Sequence, residues 1–311
     1  MALFSFIIPV YNGEKTIEKC INSIQTLDEG DIEICVIDDG SIDSTNEILK
    51  RLCLIDYRIV VLSSTHKGVC YARNLGIKKA RGRYISFVDC DDYIKTDAYN
   101  RLIETIKKID VDIFCCNYVK FCDSRFVEVN RKFLSLGINK PNVLYDELMT
   151  GIFNSVWSNI YRLDLIKKLG ILFDEHMKMG EDLVFNVNYC LNCKTVYYFD
   201  ESTYCYNSNN LSSVTHSCMP EYLNDYILMF ESYKKIIDLS TCRELLLDRK
   251  YYLAEVYKCL RVSNKAQVNP VINDLKDSFL YSEVIQYRYS NFSSIIYKFL
   301  IKIYIKGLRL L

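Results

Sequence analysis

The 311-residue sequence lacks several features that would define a class of protein at once. It has no run of about 18 to 20 uncharged apolar residues, which is the length that a membrane-spanning helix needs. It has no excess charge, because 39 basic and 39 acidic residues cancel. This balance excludes recruitment of nucleic acid by an overall positive field, so any electrostatic function must be local. The first residues also lack the basic segment and cleavage site of a secretory signal, and their short apolar run predicts a first strand.

No complete metal-binding cysteine pattern is present, although there are 14 cysteines. Most are scattered singly through apolar runs, as at Cys35 and Cys53, which predicts reduced, mostly buried thiols in a cytosolic protein. Cys190 and Cys193 have the spacing of half a zinc site without a recognisable second half, so we expect them to face a core. A hydrophobic content of 50% is ample for such a core and argues against disorder.

The first 120 residues predict a doubly wound α/β domain. Apolar strand-like runs alternate with segments of helical period, which is typical of a mostly parallel sheet flanked by helices. These runs are 4–10, 32–37, 59–62, 84–88 and 113–118. Only Gly13 follows the first run, so the glycine-rich turn of a dinucleotide-dependent dehydrogenase is missing. In sheets of this kind the ligand binds beyond the carboxyl ends of the strands.

An acidic cluster, Asp89-Cys90-Asp91-Asp92, directly follows the fourth strand-like run. Alternate side chains of an extended backbone point to the same side, so Asp89 and Asp91 converge. Oxygen ligands at this spacing suit Mg²⁺ or Mn²⁺, which a substrate diphosphate can share. The alternative is a solvated acidic turn that caps a helix starting near Thr96.

Two further polar groups lie at or near strand ends. Asp38 and Asp39 follow the second run, where a carboxylate can accept a hydrogen bond from the imide nitrogen of uracil. The alternative is an ordinary strand-to-helix turn. Arg73 lies near a helix start before the acidic cluster, where it could meet a phosphate. A surface ion pair is the alternative for Arg73.

The second half of the chain contributes three candidates. Glu181 and Asp182 precede an apolar run, so they either open a helix, where acids are favourable without any function, or supply a general base. His216 follows a tyrosine-rich strand-like segment and is either a structural histidine or a ligand to manganese. The aromatic-rich stretch from about 121 to 210, which contains Trp157, is a candidate acceptor-binding half.

The final stretch, 293–311, has basic residues on one narrow helical face. They are Lys298, Lys302, Lys306 and Arg309. Basic amphipathic helices of this kind lie at anionic membrane surfaces. A helix that packs on the protein body with its charges outward fits the pattern equally well.

An ordered set of four motifs resembles glycosyltransferase family 2, the large group with the GT-A fold. They are FIIPVYNGEKTIEKCINSI, VIDDGSIDST, GVCYARNLGIKKARGRYISFVDCDD and MGEDLVF. The resemblance covers roughly the first 190 residues. It implies a nucleotide-sugar-binding half over 1–120, an acceptor-binding half with the catalytic base over 121–217, and a C-terminal helical region over 218–311.

The resemblance also implies roles for individual residues. The catalytic residues would be Asp182, as base, and Glu181 beside it, and the metal ligands would be Asp91 and His216. Trp157 is assigned to the acceptor side, where many relatives read Trp-Asn-Lys and this chain has Trp157-Ser158-Asn159. The residues expected to bind the nucleotide sugar are Pro9, Tyr11, Asp38, Asp39, Arg73, Asp89 and Cys90.

The sequence therefore predicts an inverting transferase that moves a sugar from a nucleotide diphosphate, expected to be a UDP-sugar, with Mn²⁺ or Mg²⁺ as cofactor. Its acceptor is expected to be a saccharide or a lipid-linked saccharide in glycan synthesis, and nucleic acid is not expected as a partner. We expect the protein in the cytoplasm or peripherally on the inner face of the cell membrane. The alternatives are a catalytically silent sugar-nucleotide-binding subunit and a magnesium-dependent nucleotidyltransferase.

Overall fold

The computed structural model describes residues 2–122, 124–151, 153–208, 223–237 and 239–241. In these ranges the strands are β1 Phe4–Val10, β2 Ile32–Asp38, β3 Ile59–Ser63, β4 Tyr84–Phe87, β5 Tyr93–Ile94, β6 Ile113–Cys122, β7 Arg125–Val129, β8 Gly137–Asn139, β9 Asn159–Arg162 and β10 Val196–Asn207. The helices are α1 Ile17–Gln25, α2 Thr45–Ile55, α3 Val69–Lys79, α4 Thr96–Lys108, α5 Val143–Thr150, α6 Leu163–Leu169, α7 Glu181–Cys190 and α8 Leu223–Ile237.

All ten strands form one sheet, in the order β3-β2-β1-β4-β9-β6-β10-β5, with β7 paired to β6 and β8 to β10. β1 pairs in parallel with both β2 and β4, and β2 pairs in parallel with β3. The predicted doubly wound α/β arrangement is therefore confirmed. β9 lies antiparallel between β4 and β6, so the sheet as a whole is mixed rather than uniformly parallel.

Two apolar layers cover the two faces of the sheet. Every residue of β1 and β2 is buried, which explains why these runs are almost continuously apolar. Because successive side chains alternate, Phe6 and Ile8 pack in the layer with α1 and α4, whereas Ile7 packs in the layer with α3 and α7. The helices on both faces thus fix the position of the strands, and with them the carboxyl edge of the sheet.

The predicted elements differ from the observed ones mainly at their ends. β6 continues four residues beyond the predicted run, because it pairs with β10 as far as Phe121 and with β7 at its end. Cys190 and Cys193 lie in the apolar layer that contains α3 and α7, in agreement with the prediction that they face a core. His216 and the predicted membrane-surface helix at 293–311 lie outside the described residues. Within the described part of the chain, no helix combines the length and apolar character needed to cross a membrane.

Candidate active site

Three loops meet at the carboxyl edge of the sheet, as the strand order requires. The Asp39 N–H donates to the carbonyl of Val10 at 2.8 Å, and the Val88 N–H donates to the carbonyl of Ile7 at 3.0 Å. Pro9 lies buried inside β1, next to Ile37 of β2. The polar groups that follow β1, β2 and β4 are therefore neighbours in space.

Asp39 organises the loop before α3. Its carboxylate is only 3% exposed and accepts hydrogen bonds from the N–H groups of Lys67 at 2.9 Å and Gly68 at 2.7 Å. Asp38 accepts from the Ser41 N–H at 2.9 Å and so holds the turn after β2. A carboxylate has about four lone-pair sites, so Asp39 retains capacity for a further donor.

His66 packs on Tyr11, a contact that the sequence did not indicate. The two rings are stacked with their centroids 3.9 Å apart, and the His66 Nδ1 lies 3.7 Å from a carboxylate oxygen of Asp39. The His66 backbone has a φ of 54°, in the left-handed region that non-glycine residues seldom adopt. The only available signal was its place in the loop before α3, two residues before Gly68.

Arg73 connects the strand-end acids to the acids of α7. Its Nη2 donates to Asp89 at 3.0 Å, and its Nη1 donates to Glu181 at 3.1 Å and to Asp182 at 2.7 Å. The side chain is 5% exposed, so these interactions are weakly screened by solvent. The surface ion pair considered for this arginine is therefore wrong, and a contact with diphosphate stays a prediction.

Asp182, one of the acids bound by Arg73, has a pKa near neutrality. Burial raises its pKa to about 7; Arg73 opposes this shift, while the charges of Glu181 and Asp89 reinforce it. Its second carboxylate oxygen accepts from the Val156 N–H at 3.3 Å. A carboxyl group with a pKa near neutrality, placed at a sheet edge that favours ligand binding, is suited to exchange protons with a substrate.

The acidic cluster divides into two parts. Asp92 is buried, accepts from the Tyr204 hydroxyl and the Asn207 N–H at 2.7 Å each, and has its pKa raised to about 8, mainly by burial. Asp89 and Asp91 remain partly exposed at the edge, with Cys90 between them. Lys95 precedes α4 and no side chain caps that helix, so the cluster is not the helix cap that was its alternative.

The donor set fits a divalent cation that a substrate would share. Among the described residues no three His, Cys, Asp or Glu side chains are grouped to enclose a metal ion. Mg²⁺ commonly uses one or two carboxylates together with substrate phosphates and water, so the partly exposed carboxylate of Asp91, the predicted ligand, meets that requirement. His216, the other predicted ligand, is outside the described residues.

Trp157 lies in an aromatic stack instead of facing solvent. It is 8% exposed and packs parallel to Tyr204 and Tyr206, with ring centroids 4.6 and 5.4 Å away. Next to it, Arg131 donates to the Ser158 hydroxyl and to Asn159, both at 2.8 Å. Arg131, 27 residues before Ser158 in the chain, therefore contributes a basic group to the segment around Trp157.

Comparison with known proteins identifies the family. The pattern described as Glycosyl transferase family 2 matches residues 5–170, more than half of the chain. The chain belongs to glycosyltransferase family 2. One relative, the glycosyltransferase EpsJ of Bacillus subtilis, is 35% identical over 233 residues, which cover 71% of this chain and 66% of EpsJ.

Solved structures of similar proteins have the same fold as this chain. TarS of Staphylococcus aureus in complex with UDP superposes with a TM-score of 0.69 at 22% identity, covering 89% of this chain and 80% of that one. The mannosyltransferase PcManGT of Pyrobaculum calidifontis, in complex with GDP-Man and Mn²⁺, gives 0.56 at 14% identity, covering 90% and 82%. The mixed sheet with flanking helices is thus the GT-A fold of this family.

Proposed function

We propose that this chain is an inverting, divalent-cation-dependent glycosyltransferase that moves a sugar from a UDP-sugar to a hydroxyl group of a saccharide acceptor. We call the carboxyl edge of the sheet, where the nucleotide sugar is proposed to bind, the donor edge. The observation that carries the proposal is the set of contacts around Arg73, which joins Asp89 at the donor edge to Asp182 on α7. Arg73 thereby holds Asp89, which we assign to the donor, close to a carboxyl group whose pKa is about 7.

The preference for uracil rests on two neighbouring groups. Tyr11 offers an aromatic face on which a base can stack, and Asp39 offers a buried carboxylate that can accept the imide N–H of uracil. The TarS complex with UDP supports this choice. PcManGT was solved with GDP-Man, so the identity of the base is part of the test below.

Asp182 acts as the base of the transfer. Its carboxylate takes the proton of an acceptor hydroxyl while that oxygen forms a bond to the anomeric carbon, and the bond from this carbon to the diphosphate oxygen breaks. A single displacement of this kind inverts the anomeric configuration. Arg73 keeps the carboxylate oriented, and the Val156 N–H binds its other oxygen. A divalent cation bound at Asp91 would neutralise charge on the departing nucleoside diphosphate, and Asp89 would contact the nucleotide sugar beside it.

The acceptor is proposed to be a growing surface polysaccharide or a lipid-linked saccharide. The support is that TarS is named a poly(ribitol-phosphate) β-N-acetylglucosaminyltransferase, with 28% identity to this chain over 211 residues. Contact with the membrane surface through residues 293–311 belongs to the same proposal. Removing the residues after Asn291 should weaken binding to anionic liposomes; unchanged binding would contradict that part.

A donor screen tests the proposal directly. The purified protein is heated with UDP-, GDP- and dTDP-sugars in the presence of Mn²⁺, since a ligand that binds the folded state raises the melting temperature. We expect a UDP-sugar to stabilise the protein and EDTA to remove the effect. With that donor and a candidate acceptor, release of intact UDP and a product of inverted anomeric configuration by NMR are expected.

Other results of the screen distinguish the alternatives. Release of pyrophosphate in place of UDP would identify a nucleotidyltransferase. Stabilisation by a donor with neither transfer nor slow donor hydrolysis would identify a silent binding subunit. Stabilisation by GDP-sugars alone would still agree with a transferase but would contradict the proposed preference for uracil.

A further inference from the structure

Helix α8 packs directly on the turn that precedes Asp182. One carboxylate oxygen of Asp225 accepts hydrogen bonds from the N–H groups of Lys178 at 2.8 Å and Met179 at 3.0 Å. One helical turn further on, Met229 lies against Gly180, where a Cβ would sit 2.2 Å from the methionine sulfur. Gly180 has a φ of 78° and is the residue immediately before α7. The turn is thus held both by hydrogen bonds and by close packing.

The same helix also holds the segment on the other side of Asp182. Tyr233, on the face of α8 that carries Asp225 and Met229, accepts a hydrogen bond from the Asn154 side-chain amide at 3.0 Å. Two residues after Asn154, the Val156 N–H donates to Asp182. The turn that leads to Asp182 and the segment that binds it through the Val156 N–H therefore both rest on one face of α8.

We propose that Asp225, Met229 and Tyr233 are positioning residues for transfer, and that α8 acts as a brace that fixes Asp182 relative to Arg73 and the donor edge. The proposal rests on the proposed role of Asp182 as the base. Displacing a reacting group by about 1 Å can cost roughly 100-fold in rate, so a brace on the two flanking segments bears on the chemical step itself. Donor binding at Tyr11 and Asp39 involves neither segment.

The chain offers a matched control at the other end of the helix. Just after α8, the Asp146 carboxylate accepts from the Ser240 hydroxyl at 2.6 Å and from the N–H and hydroxyl of Thr241 at 2.8 Å each. Asp146→Ala therefore removes at least as many hydrogen bonds as Asp225→Ala. It leaves the contacts to the two segments beside Asp182 in place.

A conservative variant separates positioning from charge. Both backbone donors of the turn bind the same oxygen of Asp225, so the single carbonyl oxygen of Asp225→Asn can accept both. Burial already raises the pKa of Asp225, which means that a neutral side chain suits this environment. Asp225→Asn should thus preserve the brace that Asp225→Ala breaks.

The experiment compares the three variants in the full chain. With the UDP-sugar selected by the donor screen, we expect Asp225→Ala to lower kcat at least tenfold with the donor KM within twofold of wild type. Asp225→Asn and Asp146→Ala should keep kcat within threefold. Hydrogen exchange followed by mass spectrometry should show faster exchange in residues 176–186 for Asp225→Ala only, while Asp146→Ala should raise exchange near residues 239–241.

Three outcomes would overturn the inference. One is an unchanged kcat in Asp225→Ala despite faster exchange in the turn. Another is an equal loss of kcat in Asp225→Asn or Asp146→Ala, which would indicate general packing. The third is unchanged exchange at 176–186 in Asp225→Ala. If wild type transfers no sugar at all, the proposed function fails, whereas the exchange comparison still decides whether α8 holds the turn.

Discussion

At the scale of single residues, the environment of Asp182 sets the pH at which it can accept a proton. Burial disfavours the carboxylate, and Glu181 and Asp89 add negative charge nearby. Arg73 partly offsets these effects, which leaves the pKa at about 7. The group is therefore protonated in acid and becomes a base only as the pH rises through neutrality.

We expect kcat to be half-maximal near pH 7 and to level off above about pH 8, because the deprotonated form of Asp182 is the active one. Asp182→Asn should lower kcat by about 100-fold or more and leave UDP binding, measured by calorimetry with Mn²⁺, largely intact. Glu181→Gln serves as the control. Removing that negative charge should lower the pKa of Asp182 and so move the acid limb of the kcat–pH profile to lower pH. If neither variant changes this limb, it reports another titratable group.

His66 supports a second prediction at this scale. Its ring covers one face of Tyr11, so a base that stacks on that face has to displace it. An aromatic pair is worth about 0.5–1.5 kcal/mol, so His66→Ala should tighten UDP binding by roughly two- to tenfold. Calorimetry measures this change, with His176→Ala, at an exposed position, as the control. Weaker UDP binding by His66→Ala would instead show that His66 contributes to binding the uracil ring.

At the scale of elements, α3 depends on close packing to place Arg73. A Cβ at Gly76 would lie 2.4 Å from a methyl group of Ile7 on β1 and 3.1 Å from Ile37 on β2. Next to Arg73, the Asn74 side chain donates to the carbonyl of Phe173 and accepts from its N–H, both at 2.9 Å. The helix is thereby fixed both to the sheet and to the segment that leads to α7.

Gly76→Ala should destabilise the protein by about 1–3 kcal/mol, because the added methyl group overpacks the contact between α3 and β1. Urea denaturation measures the free energy of unfolding. Gly30→Ala is the matched control, since a Cβ there meets no atom within 4 Å. Gly76→Ala should cost less in an Ile7→Ala background than in wild type, because the clashing methyl group is then absent. Equal effects of the two glycine variants would refute the packing argument.

At the scale of the whole molecule, the buried Asp92 and the partly buried Asp182 make stability depend on pH. Burial is the main cause that raises the pKa of Asp92 to about 8 and of Asp182 to about 7, above the ordinary value of about 3.9. Each group binds its proton more tightly in the folded state than in the unfolded state. Their contribution to stability is therefore fully present below about pH 4 and is lost as the pH rises through about 7 to 8.

We expect the free energy of unfolding of Asp92→Asn to fall less than that of wild type between pH 5 and 8.5. The reason is that the amide cannot ionise. Its oxygen can accept from the Asn207 N–H, and its nitrogen can donate to the Tyr204 hydroxyl, which in wild type donates to Asp92. Urea titrations at several pH values in EDTA provide the measurement. Parallel pH dependence in the two proteins would show that Asp92 is ionised in the folded state at neutral pH.

The sequence by itself determined the alternation of strands and helices and the acidic residues at the strand ends. These signals are local: side-chain period, turn residues and motif order are read within about 20 neighbouring residues. Glu181 and Asp182 at the start of α7 were identified in the same way. The sequence did not predict that antiparallel β9 lies between β4 and β6, because the order of strands in a sheet depends on pairing between segments that are far apart in the chain.

Only the tertiary structure decided which of these groups meet. Arg73 lies 109 residues from Asp182 in the chain and 16 from Asp89, yet it binds both, and its burial is what makes that connection strong. The brace from α8 and the ring of His66 on Tyr11 are likewise contacts that no local pattern encodes. Local chemistry selects the residue types, whereas charge coupling and packing exist only once distant segments are brought to within a few ångströms of each other.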